Sequence, residues 1–493
     1  MNDAFMRRRI MSNWLDNVIG WISPEAGYKR AAYRSALQLQ KAYDAGTYSK
    51  QNQNWRVFNE SAEVEDSWNR DIVRARARDL EKNSDVMNSV VGAYKRNVFG
   101  RGYRLRAMTG DGEINTSLEK AWLKWCKKRN CDVTGTQNLD QMLRMCIERK
   151  KIDGGIILLK RYTSDGFIPF QLQALEVDEL DTLATEPSQK GNKVVGGIEY
   201  NPWNKPVGYY FRRYSTDGFT VENTEFVEAK DVIFMYSKRR PSQIREMSDM
   251  SPTITRIRDI NEFIQSVSVK ERVLACLSVF IKRAVPQSLG RSNPSDGGNG
   301  ERYQGKMLTP GMIQYLQPGD DVETVIPAGA ATDATQFIKQ QMRMTGSGQG
   351  LSYETVSRDM SESNYSSARQ GIIEDEMTYQ EDIEMLTDAL DEIYETFVIS
   401  CVLSGKVQIR NFWSDKETYL EHKWIKAPKK WIDPAKEANA NKTALQTGEK
   451  TFAELASENG RDWKEQIDEM AEIQEYAEQK GVVVGGIISG NAK

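Results

Sequence analysis

The sequence predicts an α+β fold, and three features point to it. Between residues 154 and 236 the apolar residues fall into short runs separated by Gly, Pro and Asn, as strands joined by turns do. On either side, long segments carry apolar residues at helical spacing. A polar stretch from Gly350 to Arg369, GLSYETVSRDMSESNYSSAR, separates two of those helical segments. The strands predict an antiparallel sheet packed by helices, a unit of roughly 200 residues.

The totals narrow the class. At 493 residues the chain is long enough for about two to four domains. A net charge of −3 with 28% charged residues argues against gripping nucleic acid by bulk charge. Cys126, Cys131, Cys146, Cys276 and Cys401 include no CxxC pair and read as reduced core thiols. A lone histidine, His422, rules out multi-His metal sites and suits Ser-His-Asp chemistry poorly. No apolar run approaches the roughly 18–20 residues that span a bilayer, so no membrane partner is expected. Arg7, Arg8 and Arg9 before IMSNWLDNVIGWI imitate a signal peptide. Asn13, Asp16 and Asn17 interrupt the apolar stretch, however, and no small-residue cleavage site follows. An amphipathic helix is expected there, in a protein that stays where it is made.

Residues 1–54 form a first segment. Its first fifty residues carry eight Lys/Arg against four Asp/Glu, with Trp14, Trp21, Tyr28 and Tyr33 near helical spacing. A basic arm for DNA or a partner, and a peripheral helix with a solvated basic face, are both open. Trp68 to Phe99 predicts a helix that Gly100-Arg101-Gly102 stops, and Tyr103–Arg106 alternates as a strand. Leu118, Trp122 and Trp125, then Leu139, Met142, Leu143 and Cys146, mark two further helices. Strands are expected at 154–159, 170–175, 197–200, 207–211 and 232–236.

Ser251 as N-cap and Pro252 in the first turn predict the start of a helix. Its stripe from Ile254 to Ile281 runs for about thirty residues, roughly 45 Å at 1.5 Å per residue. Six Lys/Arg face three Asp/Glu between Pro252 and Arg283. Pro286 to Gly305 reads as a flexible insertion. Short strands follow at Met307-Leu308, Met312–Leu316 and Val322–Val325, then a helix from Asp333 to Thr345.

Gly350 to Arg369 is long for a connection inside a compact domain, and such loops are usually functional or disordered. After it, Ile372, Ile373, Ile383, Leu386, Leu390, Ile393 and Phe397 mark a long helix, and ten Asp/Glu with no Lys or Arg lie between Gln370 and Glu395. Such density is costly unless cations neighbour it or solvent screens it. Either it lines a channel that repels phosphate, or it pairs with basic residues of an adjacent subunit; pairing is slightly preferred. Val407–Arg410 predicts a strand. Asp433 before Pro434 predicts a helix N-cap, and Asp433–Lys480 is helical with twelve acids to six bases. Gly481 onward is Gly-rich.

The enzyme-like signals fail on inspection. Gly346-Ser347-Gly348-Gln349-Gly350 resembles a phosphate loop but lacks the Lys-Ser/Thr that a Walker loop needs, so it reads as a helix terminator. In Glu374-Asp375-Glu376, adjacent helical carboxylates diverge rather than converge on a metal. No catalytic residue, metal or cofactor is expected.

Several motifs, in order, resemble the portal proteins of lambda-type tailed phages. They are Arg74-Ala-Arg-Ala-Arg-Asp-Leu-Glu-Lys-Asn-Ser84, Arg239-Arg-Pro-Ser-Gln-Ile-Arg245, Gly350–Glu354 with Arg358-Asp359, Asn364-Tyr365-Ser366-Ser367 with Arg369, Lys426-Ala-Pro-Lys-Lys-Trp-Ile-Asp-Pro-Ala-Lys-Glu437, Thr447–Thr451 and Asn459–Trp463. The first motif, by itself, reads as an exposed charged helix. The resemblance covers about Trp55 to Gly481 and implies the portal fold. It implies a helix/β wing at 55–250, a stem helix at 251–283, a small β-containing clip at 284–331 and a second stem helix at 332–349. A channel loop at 350–369, an acidic helix with a return to the wing at 370–432, a helical crown at 433–481 and a tail at 482–493 complete it.

The resemblance carries further expectations. The protein is a ring of about twelve copies at one capsid vertex of the virion, assembled in the host cytoplasm. It nucleates head assembly with major capsid and scaffold proteins and docks the terminase large subunit. It passes double-stranded DNA in and out, and later joins head-tail connector proteins. Tyr353, Arg358, Asp359, Asn364, Tyr365, Ser366, Ser367 and Arg369 lie on or beside the loop facing DNA, with Arg358 expected at phosphate. An ion pair of Arg358 with Asp359, or with another subunit, is the structural alternative. Lys270, Arg272, Lys282 and Arg283 are stem candidates for DNA, or simply exposed ends of a packed helix. Arg291, Arg302 and Lys306 are expected on the clip, facing the motor. The competing classes are a ring adaptor without a DNA path and a nucleotide-binding enzyme using Gly346–Gly350.

Overall fold

In a computed structural model the chain divides into two units, Met1–Ser61 and Ala62–Lys493. The structure describes residues 18–19, 21–26, 28–30, 33, 54, 57, 59–215, 217–218, 220–275, 279–283, 320–324, 331–427 and 434–482. Of the first unit, short helical stretches within 18–33 are described.

The second unit opens with helices α1 (Ala62–Ser67), α2 (Arg70–Asn83) and α3 (Asp85–Tyr94), and a π-helical turn, Lys95–Phe99. The single helix expected over 68–99 is therefore broken. Ser84 adopts extended φ/ψ and its hydroxyl accepts from Met87 N, so it ends one helix and caps the next. The motif Arg74–Ser84 is also not an exposed charged helix. Arg70 and Arg74 are buried, Arg74 pairs with the fully buried Glu246 at 3.0 Å, and Arg78 reaches Asp153 at 2.7 Å. Arg245, from the second family motif, holds the same Glu246 at 2.9 Å.

Strand β1 (Tyr103–Ala107) precedes α4 (Gly112–Trp125), α5 (Lys128–Cys131) and α6 (Leu139–Asp153). Asp111 and Asn138 cap α4 and α6, the latter with a capping box to Gln141. The β region then makes two antiparallel sheets where one was expected. β2 (Gly155–Arg161) lies between β3 (Gln171–Leu175) and β8 (Val232–Tyr236), while β4 (Lys193–Val195), β5 (Ile198–Tyr200), β6 (Pro206–Tyr214) and β7 (Val221–Glu228) follow one another in the second sheet. Their apolar faces build a second core around Ile157, Leu159, Tyr209 and Phe211. Strands β4 and β7 were not expected, because β4 is only three residues long and β7 is largely polar, without an apolar run.

The main core lies under the helices. Trp125 stacks on Phe170 with centroids 5.2 Å apart and donates from Nε1 to the Phe170 carbonyl at 2.8 Å. Trp122 and Phe397 pack on Trp125, and Tyr394 and Trp424 pack on Trp122. Among the described residues Cys131, Cys146 and Cys401 are buried and Cys126 partly so, all as free thiols.

Helix α7 (Ile254–Ala275) begins later than Ser251 and Pro252 suggest. Its first backbone bond runs from Ile257 N to Thr253 O, so Thr253 occupies the cap position. It also ends earlier. Val279–Arg283 forms β9, paired antiparallel with β10 (Asp320–Thr324), so Lys282 and Arg283 lie on a strand and not on the stem helix. The flexible insertion and the strands expected at 307–308 and 312–316 fall outside the described residues.

Helix α8 (Ala331–Gly348), the short α9 (Tyr353–Ser357) and the long α10 (Tyr365–Leu403) come next. Leu386, Leu390, Ile393 and Phe397 of α10 are fully buried, as their spacing predicts. Val407–Arg410 is irregular, not a strand. After α11 (Lys416–Leu420) the strand is β11 (His422–Lys426), which pairs with β1. Three helices end the described chain: α12 (Pro434–Thr447), α13 (Phe452–Glu458) and α14 (Trp463–Gln479). The cap expected at Asp433 lies outside the described residues. Arg104 and Arg106 of β1 reach Glu465 and Asp462 of the last helix at 2.8 and 3.3 Å.

Candidate functional site

The polar stretch between α8 and α10 is built, not open. Three glycines let it enter the core. A Cβ at Gly346 would lie 2.6 Å from the Leu351 carbonyl oxygen, and one at Gly348 would lie 2.8 Å from Thr253 Cγ2. Gly350 has φ +67 and lies against Thr378, whose hydroxyl donates to its carbonyl at 2.7 Å. The space beside these glycines is filled by protein, and the run closes a helix as its sequence predicts. Tyr94 donates to the Gln349 carbonyl at 2.6 Å, and Gln349 Nε2 reaches Thr253 Oγ1 at 2.9 Å.

Asp375, on the buried side of α10, organises the start of α9. Its Oδ1 accepts from Ser352 N at 2.6 Å, and its Oδ2 accepts from the Ser352 and Thr355 hydroxyls at 2.9 and 2.5 Å. Ser352 also caps α9. The expected twenty-residue loop thus contains a short helix, and Tyr365–Arg369 already belong to α10. What remains irregular between the two helices is residues 358–364. Asn364 and Ser367 close it with a capping box.

Arg358 is the left-handed cap of α9, at φ +58, and its N–H donates to Glu354 O at 2.8 Å. Its side chain is exposed. The ion pair with Asp359 does not form: Asp359 instead accepts from Ser361 N at 3.0 Å and from Tyr353 Oη at 3.4 Å. Hydrogen bonds from Ser361 hold its carboxyl below the usual range. Tyr353 lies under two cations, Lys339 at 5.6 Å and Arg343 at 5.3 Å from its ring. Glu362 pairs with the same Lys339 and Arg343.

Ser366, Ser367 and Arg369 stand in the first turns of α10, and Tyr365 is its first residue. Of the stem candidates, Lys270 and Arg272 lie near the C-terminal end of α7, where Arg272 is exposed. Arg291, Arg302 and Lys306 lie outside the described residues. The site residues that sequence reasoning missed are Lys339, Arg343 and Asp375. The first two fall at i, i+4 on α8, a usable signal for one shared face; nothing local marks Asp375, twenty residues beyond the hydroxyl it holds.

The acidic helix is neutralised in part within its own chain. Asp382 pairs with Lys150 and Lys151, Glu392 with Lys160, and Glu395 with Lys416. Asp391 accepts from Trp424 Nε1 at 2.6 Å and lies 2.9 Å from His422 Nε2. Among the described residues no cluster of His, Cys, Asp and Glu is arranged to hold a metal, and no helix is long and apolar enough to cross a membrane.

Fold and site together define an α+β protein in which long helices converge on a short, tightly capped polar turn. The family described as phage portal protein, lambda family, matches residues 48–382, which include that turn. The chain belongs to this family. It is 23% identical over 457 residues to a probable portal protein of Halomonas phage phiHAP-1, covering 89% of this chain and 87% of the relative. It is 20% identical to the portal protein of Escherichia phage N15 (85% and 87% covered) and 18% identical to portal protein B of Escherichia phage lambda (79% and 81%). Among solved structures it resembles a chain in the neck of an empty gene transfer agent particle, with 14% identity, a TM-score of 0.46 and coverage of 78% and 93%.

Proposed function

We propose that this chain assembles as a closed ring of about twelve copies at one vertex of the virion head and forms the conduit for genome packaging and ejection. It docks the terminase large subunit, then head-tail connector proteins, and nucleates procapsid assembly with the major capsid and scaffold proteins in the host cytoplasm. The observation that carries this reading is the family match over residues 48–382, a span that includes the capped turn. In this reading 55–250 is the wing, 251–283 the stem segment, 284–331 the clip and 332–349 the second stem helix. The channel loop is 350–369, with 370–432 returning to the wing and 433–481 the crown.

The mechanism follows from weak contact. A channel that neutralised many phosphates would hold DNA by counterion release and oppose its movement. Here Tyr353 and Asp359 are engaged with their own neighbours, Asp382, Glu392 and Glu395 of α10 are paired with lysines inside the chain, and net charge is −3. In this reading Arg358 and Arg369 are the cations that touch passing phosphates without gripping them.

Native mass spectrometry and negative-stain images of the purified protein test the ring. A closed ring with a central hole is expected; a chain that stays monomeric at high concentration overturns the channel. Arg358→Ala and Tyr365→Ala then test the path. Reduced packaging with an intact ring is expected, whereas full packaging with every loop substitution would make the protein a ring adaptor without a DNA path.

A further inference from the structure

Arg96 stands in the π-helical turn that continues α3, a feature found often at functional sites. A Cβ at Gly92 would lie 2.8 Å from Arg96 Nη1. The guanidinium therefore folds back along α3 through the space a side chain would occupy. That direction leads towards Ser89, whose hydroxyl donates to the Val356 carbonyl at 2.6 Å and ties α3 to α9. Two residues beyond Val356 is Arg358, fixed in its left-handed cap.

Burial first, then the nearby charge of Arg358, lowers the basicity of Arg96, in keeping with the tie between α3 and α9. Both residues are exposed, and neither pairs with a carboxylate among the described residues. Two like charges brought together without a counter-ion repel until an anion joins them.

We infer that Arg96 and Arg358 form a single anion site for one phosphodiester of the DNA backbone, with Arg96 reaching it from outside the loop. This rests on the channel-loop reading above. On that reading the anion that reaches the loop is a backbone phosphate, and the carboxylate of a neighbouring copy, which an arginine fork also fits, is separated from it by the test.

Binding of a short labelled duplex to the full-length ring, measured by anisotropy across a salt series, tests this. The variants are Arg96→Ala, Arg358→Ala, the double variant and Gly92→Ala. The last adds a Cβ only against the flexible end of Arg96 and keeps both charges. All are expected to weaken binding at low salt by ~3–10-fold. Each arginine variant lowers the salt slope by about one phosphate's worth, and the double variant lowers it no further. If Arg96→Ala and Gly92→Ala bind like wild type while Arg358→Ala is weaker, the inference fails and the loop reading stands. If all bind like wild type, the phosphate role of the loop falls too. If Arg96→Ala instead breaks the ring in native mass spectra and leaves duplex affinity unchanged, the anion is a neighbour's carboxylate and the inference is overturned.

Discussion

Lys151 and Asp382 face each other at 2.8 Å in the interior, each with only 6% of its surface exposed. Lys150 and Asp249 complete a buried square, with Lys150 at 2.5 Å from Asp382 and 2.7 Å from Asp249. The square ties α6 to the segment entering α7 and to α10. Lys151 also lies 3.6 Å over the ring of Tyr94, the residue that holds the Gln349 carbonyl. The base of the polar turn is thus anchored to four buried charges.

Removing one corner should be costly. Asp382→Ala leaves two ammonium groups sharing one carboxylate in a dry site, and a loss of about 3–5 kcal/mol is expected from urea denaturation. The double variant Lys150→Met, Asp382→Leu should lose much less, because it leaves one buried ammonium, Lys151, facing Asp249, which Arg239 also reaches from its more exposed side at 3.0 Å. Equal losses in the two proteins would refute the account.

The same square sets a pH window. Burial tends to raise the Asp249 pKa, but Lys151 and Lys150 outweigh it and hold the carboxyl below its ordinary 3.8. That contribution is present above 3.8 and is lost as pH falls through the lower folded value. Burial tends to lower Lys151, but Asp249 and Asp382 outweigh it and raise it above 10.5. Its contribution is present below 10.5 and is lost as pH rises through the higher folded value. Denaturation at a series of pH values should therefore show a plateau between these limits, with losses on both sides. In Asp249→Asn the plateau should drop and the acid limb flatten.

Asp375→Ala removes the acceptor for three donors at the start of α9. Leaving them without that partner should cost about 1–3 kcal/mol locally. Hydrogen exchange should quicken at 352–358 while the Leu386–Phe397 part of α10 stays protected. Unchanged exchange at 352–358 would show that Asp375 does not hold the turn.

Gly350→Ala combines a left-handed backbone with a Cβ 2.7 Å from Thr378 Cγ2. The backbone part alone is expected to cost about 1–2 kcal/mol, and the contact more. Adding Thr378→Ala should relieve the contact and leave the backbone part, so the urea midpoint should recover partway. Full recovery would mean that Gly350 is there for space alone.

Much of this was legible in the residues themselves. Leu386, Leu390, Ile393 and Phe397 announced a buried helix face by their 4-3-4 spacing, and the Gly346–Gly350 run announced a helix end. Legibility failed where the partner is remote. Val407 is buried without belonging to a strand, because no neighbouring segment among the described residues offers it a ladder, while the polar His422–Lys426 becomes one by pairing with β1. The apparent loop hid α9 because Ser352 depends on Asp375 as well as on its own cap.

The sequence by itself determined the α+β class, the place of the long helices and of five strands between 154 and 236 and, through its motifs, the family. These rest on apolar period and on cap and turn chemistry, which act over a few residues. Only the tertiary structure decided which charges are paired inside the molecule. Arg74 meets Glu246 across 172 residues and Lys150 meets Asp382 across 232, so a charged helix expected to be exposed became in part a buried anchor, and part of an acidic helix found its cations in its own chain. Coulomb attraction acts over ångströms of space, and no local pattern of residues records which distant segments the fold will bring that close.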